Sequence, residues 1–335
     1  MSAFADLPLR GPSDEPVDLR RTLLSHGVAS LPPAAVDPAG LTLTVTLAAP
    51  GGPRTVCLSP AGGEKRPGGG VPSSGEASAA SVELRTVDAG PAPDGGAAAV
   101  LVRSLRRMLC LDDDLSRFYA RASRDPALAW ACAGAGRMLR GPSVFEDVVK
   151  TVCTTNCAWS ATERMTGVLV RELGGPAPGA PADVTAGRAF PTPAAMADAP
   201  ESFYREAARA GYRGPRLKAL AASVATGEVD LEVLYEASPH DLPDDEVERR
   251  LLALPGVGPY AAAHVMMLLG RHSRLVFDSW TRPKYARLTG RPKGRLVPDE
   301  SVRRRFRRYG DHAGLAFWLF LTRDWVTETG EVRGW

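Results

Sequence analysis

The residues with the clearest chemical meaning lie between positions 251 and 278. They are the run Leu251-Leu-Ala-Leu-Pro-Gly-Val-Gly-Pro-Tyr260 and an aspartate, Asp278, twenty residues after its second glycine. Pro255-Gly256-Val257-Gly258 reads as a tight turn between two helices, and Pro259 suits the first position of the second helix. Glycines allow positive φ and let another backbone approach closely. A helix N-terminus offers unpaired N–H groups and the positive end of a dipole, so the turn is a candidate phosphate cradle. The plain alternative is an αα-hairpin whose glycines serve only close packing. Asp278 ends the apolar run Leu275-Val-Phe277 and precedes Ser279-Trp280-Thr281. A carboxylate there can cap a helix, stabilise positive charge developing on a substrate, or do both.

Other reactive residues are weighed against these. Lys284 lies six residues past Asp278 and reads as facing solvent, although a pocket amine of lowered pKa would be a nucleophile. His264 sits in the apolar run 261–269 and reads as a hydrogen-bonded core residue rather than a general base. The cysteines, Cys57, Cys110, Cys132, Cys153 and Cys157, form no CxxC pair and no zinc spacing, so no cofactor and no iron–sulfur cluster is expected. The net charge is only +3, yet residues 282–308 hold eleven Lys or Arg against Asp299 and Glu300. Such a block attracts phosphate or forms a solvated helix face.

Stepping outward, the chain has 335 residues, 44% of them hydrophobic, enough for two domains or one large one. Residues 41–47 alternate as a half-buried strand, 55–58 are a partner and 81–87 a third. Residues 61–80, rich in Gly, Ser and Pro, read as a flexible loop. A helix is expected at 100–109. From 112 onward the pattern is helical: 126–135, 144–157, 160–173, 193–197, 201–210, 216–225, 231–237, 244–252, 259–269, a helix from about 278, then 302–309 and 313–323. The expected fold is therefore mainly α, with a small α+β domain at 1–110 and a helical domain at 111–335. No apolar run reaches the length needed to span a bilayer or to serve as a targeting segment. The expectation is a soluble, monomeric cytoplasmic protein, nucleoid-associated if bacterial.

Hairpin, helix and trailing aspartate together resemble the helix-hairpin-helix (HhH-GPD) DNA glycosylase superfamily, in particular its 3-methyladenine and 8-oxoguanine branch. The likeness extends to Val144-Phe-Glu-Asp-Val-Val-Lys-Thr-Val-Cys-Thr-Thr-Asn156, Arg164-Met-Thr-Gly167, Gly211-Tyr-Arg-Gly-Pro-Arg-Leu-Lys218, Leu111-Asp112 and Leu115-Ser-Arg-Phe-Tyr119. It spans roughly residues 100 to 325, and the early strands fit the branch's small N-terminal domain.

The resemblance implies a base-excision repair enzyme of the 3-methyladenine glycosylase II type. Such enzymes turn a damaged nucleotide out of duplex DNA. Asp278 would stabilise an oxocarbenium-like sugar. The amides of Gly256, Val257 and Gly258 would hold a phosphate, and the carbonyls of Leu252, Leu254 and Val257 a monovalent cation, Na+ or K+. Bifunctional members carry lysine where this chain has Tyr260, which implies hydrolysis without a lyase step. Asn156 is a candidate to fill the gap left by the extruded base, or else a helix-ending residue. Arg164 would contact the opposite base or lie on the surface. Among Trp159, Tyr212, Tyr260 and Trp280, the last two are favoured as pocket walls, while Trp318 and Phe320 are read as core. Two alternatives stand beside this reading: an 8-oxoguanine glycosylase, with or without lyase activity through another lysine, and a non-catalytic helix-hairpin-helix DNA-binding protein.

Overall fold

In the computed structural model, residues 2–61, 80–292 and 294–326 are described. The expected flexible loop at 61–80 falls almost wholly outside them. Five strands, β1 (Ser2–Pro8), β2 (Ala35–Asp37), β3 (Thr42–Leu47), β4 (Arg54–Pro60) and β5 (Ser81–Thr86), form one antiparallel sheet in the order β1-β5-β4-β3-β2. The alternation in 41–47 puts Leu43, Val45 and Leu47 on the buried face. Strands β1 and β2 are the two edges and were not expected from the pattern. In β1 only Leu7 is buried, so its residues carry almost no alternation to read.

Helices follow as α1 (Leu19–Leu23), α2 (Gly95–Met108), α3 (Ser116–Ala122), α4 (Val144–Thr154), α5 (Trp159–Leu173), α6 (Pro193–Asp198), α7 (Arg213–Ala225), α8 (Val233–Glu236), α9 (Asp244–Leu252), α10 (Pro259–Leu268), α11 (Thr281–Leu288), α12 (Asp299–Phe306) and α13 (Ala313–Thr322). Helix α2 starts earlier than its apolar periodicity because Asp94 caps it, accepting the Ala97 amide at 2.7 Å. The helix expected at 126–135 shrinks to a 3-10 segment, Ala129–Ala133. It stops at Gly134, where φ is +114° and a Cβ would lie 2.6 Å from the Asp18 amide nitrogen. The helix expected at 201–210 is a short π-turn, Phe203–Ala207.

Three apolar clusters result. One joins the sheet to α2. A second gathers α4, α5, α7, α9 and α10, and a third gathers α3, α10, α11, α12 and α13. Helix α10 belongs to both of the latter, with Ala261 through Leu268 all buried. A helix apolar on every side must be central, and this one carries the hairpin at its start. Among the described residues, no helix is long and apolar enough to cross a membrane.

Candidate active site

Helix α9 ends at Leu252, and the chain reverses through hydrogen bonds from Leu254 N to Leu251 O and from Val257 N to Leu254 O. Only one of the two glycines needs its freedom for the turn itself. Gly256 has φ +88°, and a Cβ there would meet Val152 Cγ1 at 3.2 Å. Gly258 is extended, φ −107°, and a Cβ on it would project into open space. Its bareness therefore serves whatever approaches from outside. The expectation that both glycines supply positive φ is corrected accordingly. Pro259 opens α10, whose first-turn amides have no intrahelical acceptor.

Facing the hairpin, Asp278 ends an extended segment and caps α11. Its Oδ1 accepts the amides of Trp280 (2.9 Å) and Thr281 (2.6 Å), while its own amide donates to Thr281 Oγ1 at 2.8 Å. This reciprocal arrangement fixes the side chain and leaves Oδ2 for other work. Hairpin and aspartate line one open cleft of about 750 Å³. Its remaining walls are the α4–α5 turn from Thr154 to Cys157, Tyr212 with Arg216 from the start of α7, and Phe277.

Tyr260 lies on the cleft wall with its hydroxyl 3.2 Å from Thr154 Oγ1. Burial, with the charge of Asp278 adding to it, pushes the phenol up to about 12, so it stays neutral. Asn156 also lines the cleft, exposed and in the left-handed region at φ +50°. The α4–α5 turn is held from behind, since the buried Arg213 donates from Nε (3.0 Å) and Nη2 to the Thr155 carbonyl. Tyr212 is 48% exposed, with the Arg213 and Arg216 guanidiniums 4.6 and 5.1 Å from its ring.

Several expectations change. Trp280 is not among the residues lining the cleft; it packs 5.8 Å from Trp318 and 5.2 Å from Trp325, and Phe277 takes the wall instead. Arg164 is exposed on α5, outside the cleft lining. Lys284 does not face solvent. It is buried, and its Nζ donates to both Asp324 carboxylate oxygens at 2.7 Å. His264 is buried, but neither ring nitrogen has a hydrogen-bond partner. Of the basic block, Arg282 pairs with Asp299, Arg308 with Asp125, and Arg305 lies over Phe320. Arg282 and Arg303 also flank the ring of Phe277, at 5.3 and 5.0 Å.

Tyr212, Arg216, Thr154 and Phe277 were not foreseen at the site. The tyrosine and the arginine stand in the quoted segment 211–218, but nothing in their spacing says that the start of α7 meets the α4–α5 turn.

Set against known proteins, this arrangement is that of a recognised fold. The 3-methyladenine DNA-glycosylase from Archaeoglobus fulgidus superposes with a TM-score of 0.67 over 95% of this chain and 98% of its own, at 19% identity. The 8-oxoguanine glycosylase/lyase of Clostridium acetobutylicum, in complex with double-stranded DNA, does so at 0.62 over 97% and 99%, at 18% identity. No family model and no curated protein matches by sequence. The chain thus has the fold of the helix-hairpin-helix DNA glycosylases.

Proposed function

We propose that this protein is a DNA glycosylase that hydrolyses the N-glycosidic bond of an alkylated purine in duplex DNA, without a lyase step. The observation that carries the reading is Asp278, fixed through one carboxylate oxygen and sharing a single cleft with the bare Gly258 hairpin. In this reading the hairpin amides and the α10 dipole grip a backbone phosphate, a contact that positions without reading sequence. The target atom is hidden in the duplex, so the nucleotide must be turned out into the cleft. The bond from sugar carbon to base nitrogen then breaks, and the base leaves with the electron pair. The Asp278 carboxylate stabilises the oxocarbenium-like sugar, and water adds to it. Asn156, at the tip of its clamped turn, would occupy the vacated stack. Tyr260 and Phe277 offer electron-rich faces to an electron-poor purine.

The argument against a lyase step is chemical. A Schiff base needs a free amine, and Tyr260 has none. Among the described residues there are three lysines, and none lines the cleft. Lys150 is bound to Glu146 and the Leu31 carbonyl, Lys218 to the carbonyls of Ala197 and Ala199, and Lys284 to Asp324. The carbonyls of Leu252, Leu254 and Val257 lie around the C-terminal end of α9, where the helix dipole favours a cation, and they would hold a monovalent ion that neutralises phosphate.

The test is base release from methylated duplex DNA by Asp278→Asn. Asparagine keeps an oxygen to cap α11 but loses the charge, so release should fall about a hundredfold or more with DNA binding retained. Release at the wild-type rate would sink the assignment. A panel of duplexes bearing single lesions, including 8-oxoguanine, fixes the base.

A further inference from the structure

Behind Tyr260 lies a group of polar atoms that the mechanism above does not use. One turn along α10, the ring of His264 stands 5.9 Å from that of Tyr260. His26, from the N-terminal sheet region, meets it edge-on at 5.4 Å, and Trp318 does so at 6.4 Å. The Trp318 indole donates to the Ser25 carbonyl at 2.9 Å, closing the seam between the two parts of the chain. Both histidines are almost wholly buried, at 2% and 3% exposure. Yet Nδ1 of His26 and both nitrogens of His264 have no partner. Buried polar groups are nearly always bonded, and three orphans in one place need a reason. Two small voids of about 20 and 10 Å³ border the group, one lined by Ser25 and Trp318, the other by His26 and Leu139.

The protonation of the pair follows from its surroundings. Burial, reinforced for His26 by the neighbouring His264, lowers the imidazoles to about 3 and about 4, so both are neutral at pH 7. His26 Nε2 lies 2.7 Å from the Leu139 carbonyl, which only accepts, so the proton is on Nε2 and Nδ1 is a bare acceptor. Neutral His264 adds one donor and one acceptor. The group therefore offers two lone pairs and one N–H, with no positive charge.

We propose that His264 and His26 are the hydrogen-bonding floor of the base pocket, reached when the Tyr260 ring swings from its single hydroxyl contact with Thr154, and that they select a purine presenting an amine N–H. The proposal rests on the glycosylase reading and names what that site recognises. Lone pairs without charge suit an alkylated purine that is itself positive, because a protonated histidine would repel it. Trp318 and Tyr260 would supply the flanking faces. A pocket built to bond a polar edge rejects a base lacking that edge far better than an apolar pocket can.

The experiment compares wild type, His264→Phe and His264→Gln in single-turnover release of 3-methyladenine and 7-methylguanine. Two measurements run beside it: affinity for a duplex carrying a tetrahydrofuran abasic analogue, and thermal unfolding. Phenylalanine replaces the orphan atoms by an apolar ring, so the variant should melt higher, since an unbonded buried polar group is a cost. Its release rate should nevertheless fall about ten- to a hundredfold, the worth of one charge-assisted hydrogen bond, with abasic binding unchanged. Glutamine, which restores a donor and an acceptor, should recover most of the rate. A merely structural histidine would not give a stabler protein that is a poorer enzyme. Three results would overturn the proposal: an unchanged rate and lesion ranking in the Phe variant, a parallel loss of abasic binding, or a Phe variant that fails to fold. Wild-type protein that releases no base from any lesion overturns the glycosylase reading itself, which is a different failure.

Discussion

Replacing each hairpin glycine by alanine should separate the turn's need for glycine from its partner's. At Gly256 the backbone is left-handed, φ +88°, and an L-residue there costs about 1–2 kcal/mol. The new methyl would also sit 3.2 Å from Val152 Cγ1, inside the apolar cluster that holds α4 and α10 together. Against this, alanine narrows the unfolded ensemble by about 0.4–1 kcal/mol. The balance for Gly256→Ala is a loss of about 1 kcal/mol, and a melting temperature lower by a few degrees. At Gly258 the first two terms vanish, because φ is −107° and the methyl meets nothing within 4 Å. Gly258→Ala should then melt at or slightly above the wild type. If DNA runs over the hairpin, that methyl occupies the space its backbone needs, and affinity should fall on the order of tenfold, about 1.4 kcal/mol. Circular-dichroism melting gives the first quantity. Fluorescence anisotropy on a duplex with an abasic analogue, at one fixed salt concentration, gives the second. A Gly258→Ala protein that binds like wild type would refute the placement of DNA at the hairpin. A Gly256→Ala protein that melts no lower would refute the strain argument.

Two further outcomes follow from buried charge. Lys284→Met should lower stability by about 1–3 kcal/mol through loss of the Asp324 pair, while leaving base release intact; borohydride should trap no protein on damaged DNA in either form. Trapping that disappears in the variant would make Lys284 a nucleophile. The second outcome is an acid-side fall in stability. Burial lowers His26 and His272 to about 3 and His264 to about 4, against 6.5 for the ordinary group. The unfolded chain therefore takes up protons below 6.5 that the folded chain refuses, and stability present above that pH is lost as it falls toward 4. Asp147 acts in the opposite sense: burial raises it from 3.8 to about 7, so its contribution is lost as pH rises through 7. Three histidine protons less one aspartate proton leave a net of two, or about 3 kcal/mol per pH unit between pH 4.5 and 6.5. A urea midpoint that stays flat across that interval would contradict it.

The sequence disclosed the parts of this molecule that local chemistry alone determines. The period-two run at 41–47, the Gly-Pro helix start at 258–259 and the Gly174 stop of α5 all appear at or within a residue or two of their reading. Errors came where a distant partner decided the matter. The segment 126–135 has helical spacing, but Gly134 must pass within reach of the Asp18 backbone, so the helix gives way. Lys284 reads as a surface residue in a basic stretch, and only the arrival of Asp324, forty positions on, buries it. Trp280 and Phe277 sit three residues apart on either side of Asp278, and nothing local says which ring faces the cleft. His264 is similar: its burial was legible in the apolar run, while its lack of a partner depends on His26, which comes from the far end of the chain.

Asp278 shows why a structural role and a chemical one need not compete. As a cap it requires one oxygen, and the amides of Trp280 and Thr281 saturate that oxygen. Those same bonds hold the carboxylate in one orientation, and pre-set charge is what stabilises a short-lived cation without reorganisation. The Thr281 hydroxyl closes the loop by taking the Asp278 amide, so neither backbone nor side chain is free to drift. A surface cap would need none of this to sit beside a glycine with open space above it. What turns the cap into a candidate catalyst is the company of the hairpin across a shared cleft. With the described lysines committed elsewhere, the carboxylate is left to work with water.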